Sequence, residues 1–213
     1  GQTLAPIKSQ MLHLISETFN KPLDFDHIAE IIGHDVNLTL GLLKLVNNVA
    51  TGTRIEITSL KQAAAYLGED KLKQFVTILA LSKLTTSKFT EISKQSLITA
   101  RLMATLASES AFMEIKDFAF ITGLLSSIEV ILSMPIDEIV KTITKYERPL
   151  AQPIVDALVN HSGLLGELLD LTTNYITGNG ENIQQLTDLY QLDANFIHKE
   201  FVNASNWCKS LGI

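Results

Sequence analysis

The stretch from Ile31 to Gly68, IIGHDVNLTLGLLKLVNNVATGTRIEITSLKQAAAYLG, constrains this chain more than any other, because it carries its own start and stop signals. Asp35 precedes an apolar series at Leu38, Leu42, Leu45, Val46 and Val49. That spacing predicts a helix with one buried face and Asp35 as its N-cap. Asn47, Asn48 and Gly52 end the helix, and a short extended segment runs from Arg54 to Ile57. Ser59 with Gln62 then offers a capping box for a second helix, which Gly68 is placed to close.

The remaining segments repeat the helical period. Ile7, Met11, Leu14 and Ile15 predict a first helix ending before Pro22, and Asp24 or Asp26 opens a short one through Ile28, Ile31 and Ile32. Leu72, Phe75, Val76, Leu79 and Ala80 share one face. A nearly all-apolar helix is expected from about Ser93 to Ala111, as a buried link between two halves, and another carries Phe118, Ile121, Leu124, Leu125, Ile128 and Leu132. Pro135, Pro149 and Pro153 punctuate short helices, Gly178 and Gly180 mark a loop, and a last helix aligns Ile197, Phe201, Ala204, Cys208 and Leu211. Period-two strand signals are essentially absent, so the expected class is all-α.

Order of the caps, rather than composition, points to a family. An acidic helix start, the Leu42–Asn47 helix end, a loop glycine at Gly52, Ile57 with Ser59, and Ala64 to Gly68 closely resemble the core of the HDOD domain, an output-domain relative of the HD metal-dependent phosphohydrolases. Val36 and Asn48 depart from the family pattern, which usually has Pro and Ser there. The resemblance extends over roughly Leu23 to Leu211 and implies one HDOD module across residues 1–213, a multi-helix HD-like bundle with an N-terminal half to about residue 90 and a C-terminal half beyond it. Within FITGLLSSIEVIL, Ser126 and Ser127 stand where catalytic HD proteins carry the metal-binding His and Asp. Two neutral hydroxyls are poor ligands for a divalent cation, so the resemblance implies a lost metal site, no cofactor and no enzymatic activity. Asp35, Asn47, Gly52, Ser59 and Gly68 are then structural residues. The runs at Leu124 to Pro135 and Gly163 to Leu169 resemble HDOD domains that follow an EAL domain, the cyclic di-GMP phosphodiesterase module. That implies a regulatory module acting by protein contact, with an upstream EAL domain in the same full-length chain, a second copy, or both as partner. The alternatives are a degenerate HD-type phosphohydrolase and a small-molecule or nucleotide sensor in the pocket that a lost site would leave.

Bulk properties restrict the partners. A formal charge of -6 over 213 residues argues against nucleic acid, which demands a local excess of cations. Lys83, Arg101, Glu109 and Glu129 interrupt the apolar stretches before they reach membrane-spanning length, so no membrane segment is expected. One cysteine, Cys208, permits no internal disulfide and suits a reducing cytoplasm. The start at Gly1-Gln2, without Met, leads us to expect a piece of a longer protein.

Other candidate constellations have plain structural explanations. His13, the His34-Asp35 pair and Asp117 or Asp156 formally match an H, HD, D pattern, but a residue at a helix start is better placed to cap than to ligate. His27, His161 and His198 stand singly in sequence and are expected as partly exposed helix residues. Cys208 sits on an apolar face and is expected as a small buried hydrophobe. Lys71, Lys73, Lys83 and Lys88 form the densest basic group, expected as a solvated face. Arg54, Arg101 and Arg148 are scattered, so tight recognition of cyclic di-GMP, which favours guanidinium groups, is not expected.

Overall fold

A computed structural model of the chain describes residues 6–18, 22–32, 36–49, 56–84, 91–145, 150–180 and 183–211. Every regular element among them is helical, and the chain is all-α. It forms two compact units, one of Gly1–Phe89, Glu138–Leu150 and Ser210–Ile213, the other of Thr90–Asp137 and Ala151–Lys209. No single helix among the described residues is long and apolar enough to cross a membrane.

The first unit contains α1 (Pro6–Glu17), α2 (Phe25–Ile32), α3 (Val36–Val49), α4 (Leu60–Leu67) and α5 (Glu69–Leu84). Helix α5 is its centre, because α1, α3 and α4 all pack on it. The apolar face read from sequence is buried, and so are Thr77, Ile78 and Leu81 on its other side, the mark of a helix with neighbours all round. Thr77 enters this core by donating its hydroxyl to the carbonyls of Lys73 and Gln74 at 3.0 and 2.8 Å, which removes the cost of an unmet donor. Asp24, not Asp26, caps α2: its carboxylate accepts the His27 N–H at 3.0 Å. Thr18 closes α1 by donating both its N–H and its hydroxyl to the Ile15 carbonyl.

The second unit is built on α6 (Glu91–Leu106), a 3-10 segment Ser110–Ile115, α7 (Lys116–Leu125) and α8 (Ile128–Leu132), followed, after α9 (Ile136–Thr144), by α10 (Gln152–Asn160), α11 (Gly163–Thr177), α12 (Ile183–Leu189) and α13 (Ala194–Ser210). Residues 119–125 of α7 are all buried. Helices α6, α10 and α11 pack against α7. Two helices are shorter than their apolar periodicity suggests. The helix expected to reach Ala111 ends at Leu106, where Ser108 and Glu109 turn back to Thr105 and Leu106, and it falls in the second unit. The helix expected through Leu132 breaks at Ser126 and Ser127. There the Ser126 hydroxyl donates to the Gly123 carbonyl at 2.7 Å, and Ser127 leaves helical geometry at ψ 5. A serine bonding back to the previous turn offers the backbone an alternative to continuing the helix.

Helix α13 buries Ile197, Ala204 and Cys208, and its aromatic residues settle on neighbours within the same unit. Phe201 meets Tyr175 with ring centres 5.5 Å apart, and Trp207 meets Phe120 at 6.3 Å while the Arg101 guanidinium lies 5.0 Å over its face. Burial pulls the Arg101 pKa below its ordinary value, partly offset by Glu200. Burial also pushes the Cys208 thiol up, with Lys94 opposing and Glu91 reinforcing. The thiolate is the reactive form. Alkylation of Cys208 at pH 8 should therefore run at least about tenfold slower in the native chain than in denaturant. Equal rates would mean that the thiol is open to solvent.

Candidate functional site

The segment that most resembles a family core serves as a structural brace. His34, Asp35, Gly52 and Arg54 lie outside the described residues. Asn47, in the last turn of α3, reaches Ile57 ten residues on, and the two exchange a pair of hydrogen bonds. The side-chain amide donates to the Ile57 carbonyl at 3.1 Å, and its oxygen accepts the Ile57 N–H at 2.9 Å. Ser59 caps α4 by accepting the Gln62 N–H at 3.0 Å. The reciprocal bond of the expected capping box is displaced by one residue, because the Gln62 side chain accepts from Thr58, not Ser59, at 2.8 Å. Gly68 ends α4 at φ +86 and donates to the Ala64 carbonyl. Ser59→Ala should lower stability by about 0.5–2 kcal/mol in denaturant melts, with Asp or Asn restoring most of the loss. Beside this brace α2, α3 and the start of α4 form an open pocket of about 300 Å³, lined chiefly by Phe25, Ile32, Leu42, Leu43 and Leu60.

Ser126 and Ser127 border a smaller hollow of about 160 Å³ in the second unit, together with Glu129, His161, Asp170 and Thr173. His161, at φ 51, ends α10, and its Nδ1 lies 3.2 Å from Asp170 Oδ1 in an exposed pair. The Ser126 hydroxyl is already committed to the Gly123 carbonyl. Asp156, one of the two carboxylates considered for an H, HD, D set, accepts from Gln152 within α10. Of the three arginines, Arg54 and Arg148 lie outside the described residues, and Arg101 is held on Trp207.

A third constellation went unread in the sequence. His13 and Glu17 stand one turn apart on α1, and α2 packs against α1 with its His27 turned to the same point. The Gln10 side chain fixes the two helices by donating to the Ile31 carbonyl at 2.7 Å. The Glu17 carboxylate is fully buried. His13 Nε2 stands 3.5 Å from one of its oxygens and His27 Nδ1 3.8 Å from the other. The imidazoles are 27% and 30% exposed, with ring centres 5.6 Å apart and planes perpendicular. His27 is a partly exposed helix residue as expected, yet it is not alone. The spacing of His13 and Glu17 was visible in sequence, whereas their meeting with His27 depends on how α1 packs on α2. Among the described residues, this is the one cluster that brings three such donors together, all within 4.8 Å of one another.

The HDOD domain profile matches residues 4–165, three quarters of the chain. The chain belongs to the HDOD family. The profile covers both the Asn47–Gly68 brace and Ser126 with Ser127, and stops short of the region that the resemblance took to Leu211. The HDOD chain is also 26% identical over 200 residues to the cyclic di-GMP phosphodiesterase CdgJ of Vibrio cholerae serotype O1, an alignment covering 94% of this chain and 45% of that protein. It is 28% identical over 201 residues to the uncharacterized protein YuxH of Bacillus subtilis (strain 168), covering 93% and 47% respectively. The chain thus spans about half the length of the curated relatives it matches. No solved structure matches it. The expectation that the chain has no enzymatic role is overturned by the alignment with a protein named as a phosphodiesterase. The expectation rested on Ser126 and Ser127, and two hydroxyls in place of His and Asp remove only one metal arrangement. Hydrolysis supported by any other group of residues is untouched by that substitution.

Proposed function

We propose that this chain is the HDOD portion of a longer signalling protein that turns over cyclic di-GMP, and that it sets the rate of that reaction by contact with the remainder of the protein. The observation that carries this is the alignment of nearly the whole chain with less than half of CdgJ. As much sequence again is present in that phosphodiesterase, so the HDOD portion works beside another domain. The resemblance to HDOD modules that follow an EAL domain favours an EAL domain in the same full-length chain as that neighbour. The net charge of -6 fits a protein contact better than a nucleic-acid one. Coupling of this kind is ordinarily worth about 1–3 kcal/mol, or roughly 5- to 150-fold in an affinity. Separately purified, this chain and the remainder of the full-length protein should bind each other with a saturable one-to-one heat. No heat at concentrations of about 100 μM would exclude a contact stronger than about 5 kcal/mol and would contradict the proposal.

A further inference from the structure

We infer that His13, Glu17 and His27 form a binding site for one divalent transition-metal ion, with zinc the best match. The inference stands on the first unit alone and does not depend on the signalling role. Two neutral imidazole nitrogens and one carboxylate are donors that suit zinc, whereas calcium and magnesium require a shell of oxygens. The fit is geometric as well as chemical. With metal–ligand bonds of about 2.0–2.1 Å, tetrahedral donors stand about 3.3 Å apart, and two imidazoles on one ion have ring centres about 5–5.5 Å apart. His13 Nε2 stands 3.5 Å from one Glu17 oxygen and His27 Nδ1 3.8 Å from the other, the ring centres are 5.6 Å apart, and with one donor atom per residue the three lie within 4.8 Å of one another, so small side-chain adjustments would draw them onto one ion.

Electrostatics favour a cation at this point. Glu17 is fully buried, and a cation held between its carboxylate and the two imidazoles would offset part of the cost of desolvating a charged side chain. Both histidines remain about 30% exposed, which leaves a way in for the ion and a coordination position open to water. The donors come from two helices, His13 and Glu17 from α1 and His27 from α2, so an ion would fasten α2 to α1 alongside the Gln10–Ile31 bond.

The test is calorimetric titration of zinc chloride into chelator-stripped chain near pH 7.5, with thermal melts alongside. One zinc per chain should bind with a dissociation constant of about 1 μM or tighter. The midpoint of melting should rise by about 5–10 °C at a hundredfold excess over that constant. His13→Ala and His27→Ala, both at partly exposed positions that the fold tolerates, should each weaken binding by about tenfold or more, as should Glu17→Gln. His161→Ala and Cys208→Ser should leave it unchanged, and millimolar magnesium should not compete. The absence of saturable one-to-one binding, binding that survives His27→Ala intact, or binding lost in Cys208→Ser would each overturn the site.

Discussion

Replacing Asn47 by alanine should cost the chain about 2–4 kcal/mol of unfolding free energy, far more than a surface polar substitution. The Asn47 amide both donates to and accepts from Ile57, so truncation removes two hydrogen bonds at once and strips the partners from a half-buried backbone N–H and carbonyl. Each lost bond is worth about 1 kcal/mol, and leaving a buried partner unmet adds about 1–3 kcal/mol. Only an amide presents a donor and an acceptor at this separation. Asn47→Asp should therefore retain part of the loss, because aspartate can still accept the Ile57 N–H but faces the Ile57 carbonyl with a second oxygen. Since Ile57 leads directly into Thr58 and the Ser59 cap, the same substitution should weaken protection of the first turn of α4 in hydrogen exchange. A loss within about 0.5 kcal/mol of zero would show that the brace contributes nothing to folding.

A comparably large effect is expected at Gly123, where α7 passes α6. A methyl group there would lie 2.7 Å from the Ala100 Cα and 2.9 Å from its backbone nitrogen, with the Met103 sulfur at 3.1 Å. Backbone cannot turn aside as a side chain can, so the helices would have to part along a seam formed by fully buried residues. Overpacking of this kind costs about 1–3 kcal/mol and sometimes more, against about 1 kcal/mol gained from the helix propensity of alanine over glycine. Gly123→Ala should lose about 2 kcal/mol or more, and Gly123→Val more still. Gly41→Ala is the control. Its new methyl meets only the movable Leu79 Cδ1 at 3.2 Å, so the propensity gain and the contact should nearly cancel, with a net change inside about 1 kcal/mol. Equal effects at Gly41 and Gly123 would mean that the α6–α7 approach is looser than the geometry indicates.

What the sequence disclosed divides along the range of the interactions involved. Caps made by one side chain and a backbone group a few residues away were legible: Ser59 with Gln62, Asp24 as one of two candidates, and Gly68 all act within a turn of their own position. The all-α class was legible for the same reason, since the helical period is a local property. Helix breaks at Ser126 and Ser127 were not, because the apolar spacing continues through them. Nor was the identity of the central helix in the first unit. Helix α5 is apolar on one face by periodicity and becomes buried on the others only through its neighbours. The His13–Glu17–His27 cluster was not legible because its third donor arrives from another helix. Activity was illegible for a related reason, since two hydroxyls at Ser126 and Ser127 exclude only the metal arrangement that needs those two positions.

On the proposal made above, this HDOD chain governs cyclic di-GMP turnover through contact with the remainder of a longer protein. Its most direct test is the rate at which the full-length protein hydrolyses cyclic di-GMP, measured with and without residues 1–213 of the sequence described here. Removal should change kcat/KM by about 5-fold or more, in either direction, as expected for coupling of 1–3 kcal/mol, and adding the chain back as a separate molecule should reverse part of the change. Hydrolysis at equal rates in the two proteins, unaffected by added chain, would contradict it.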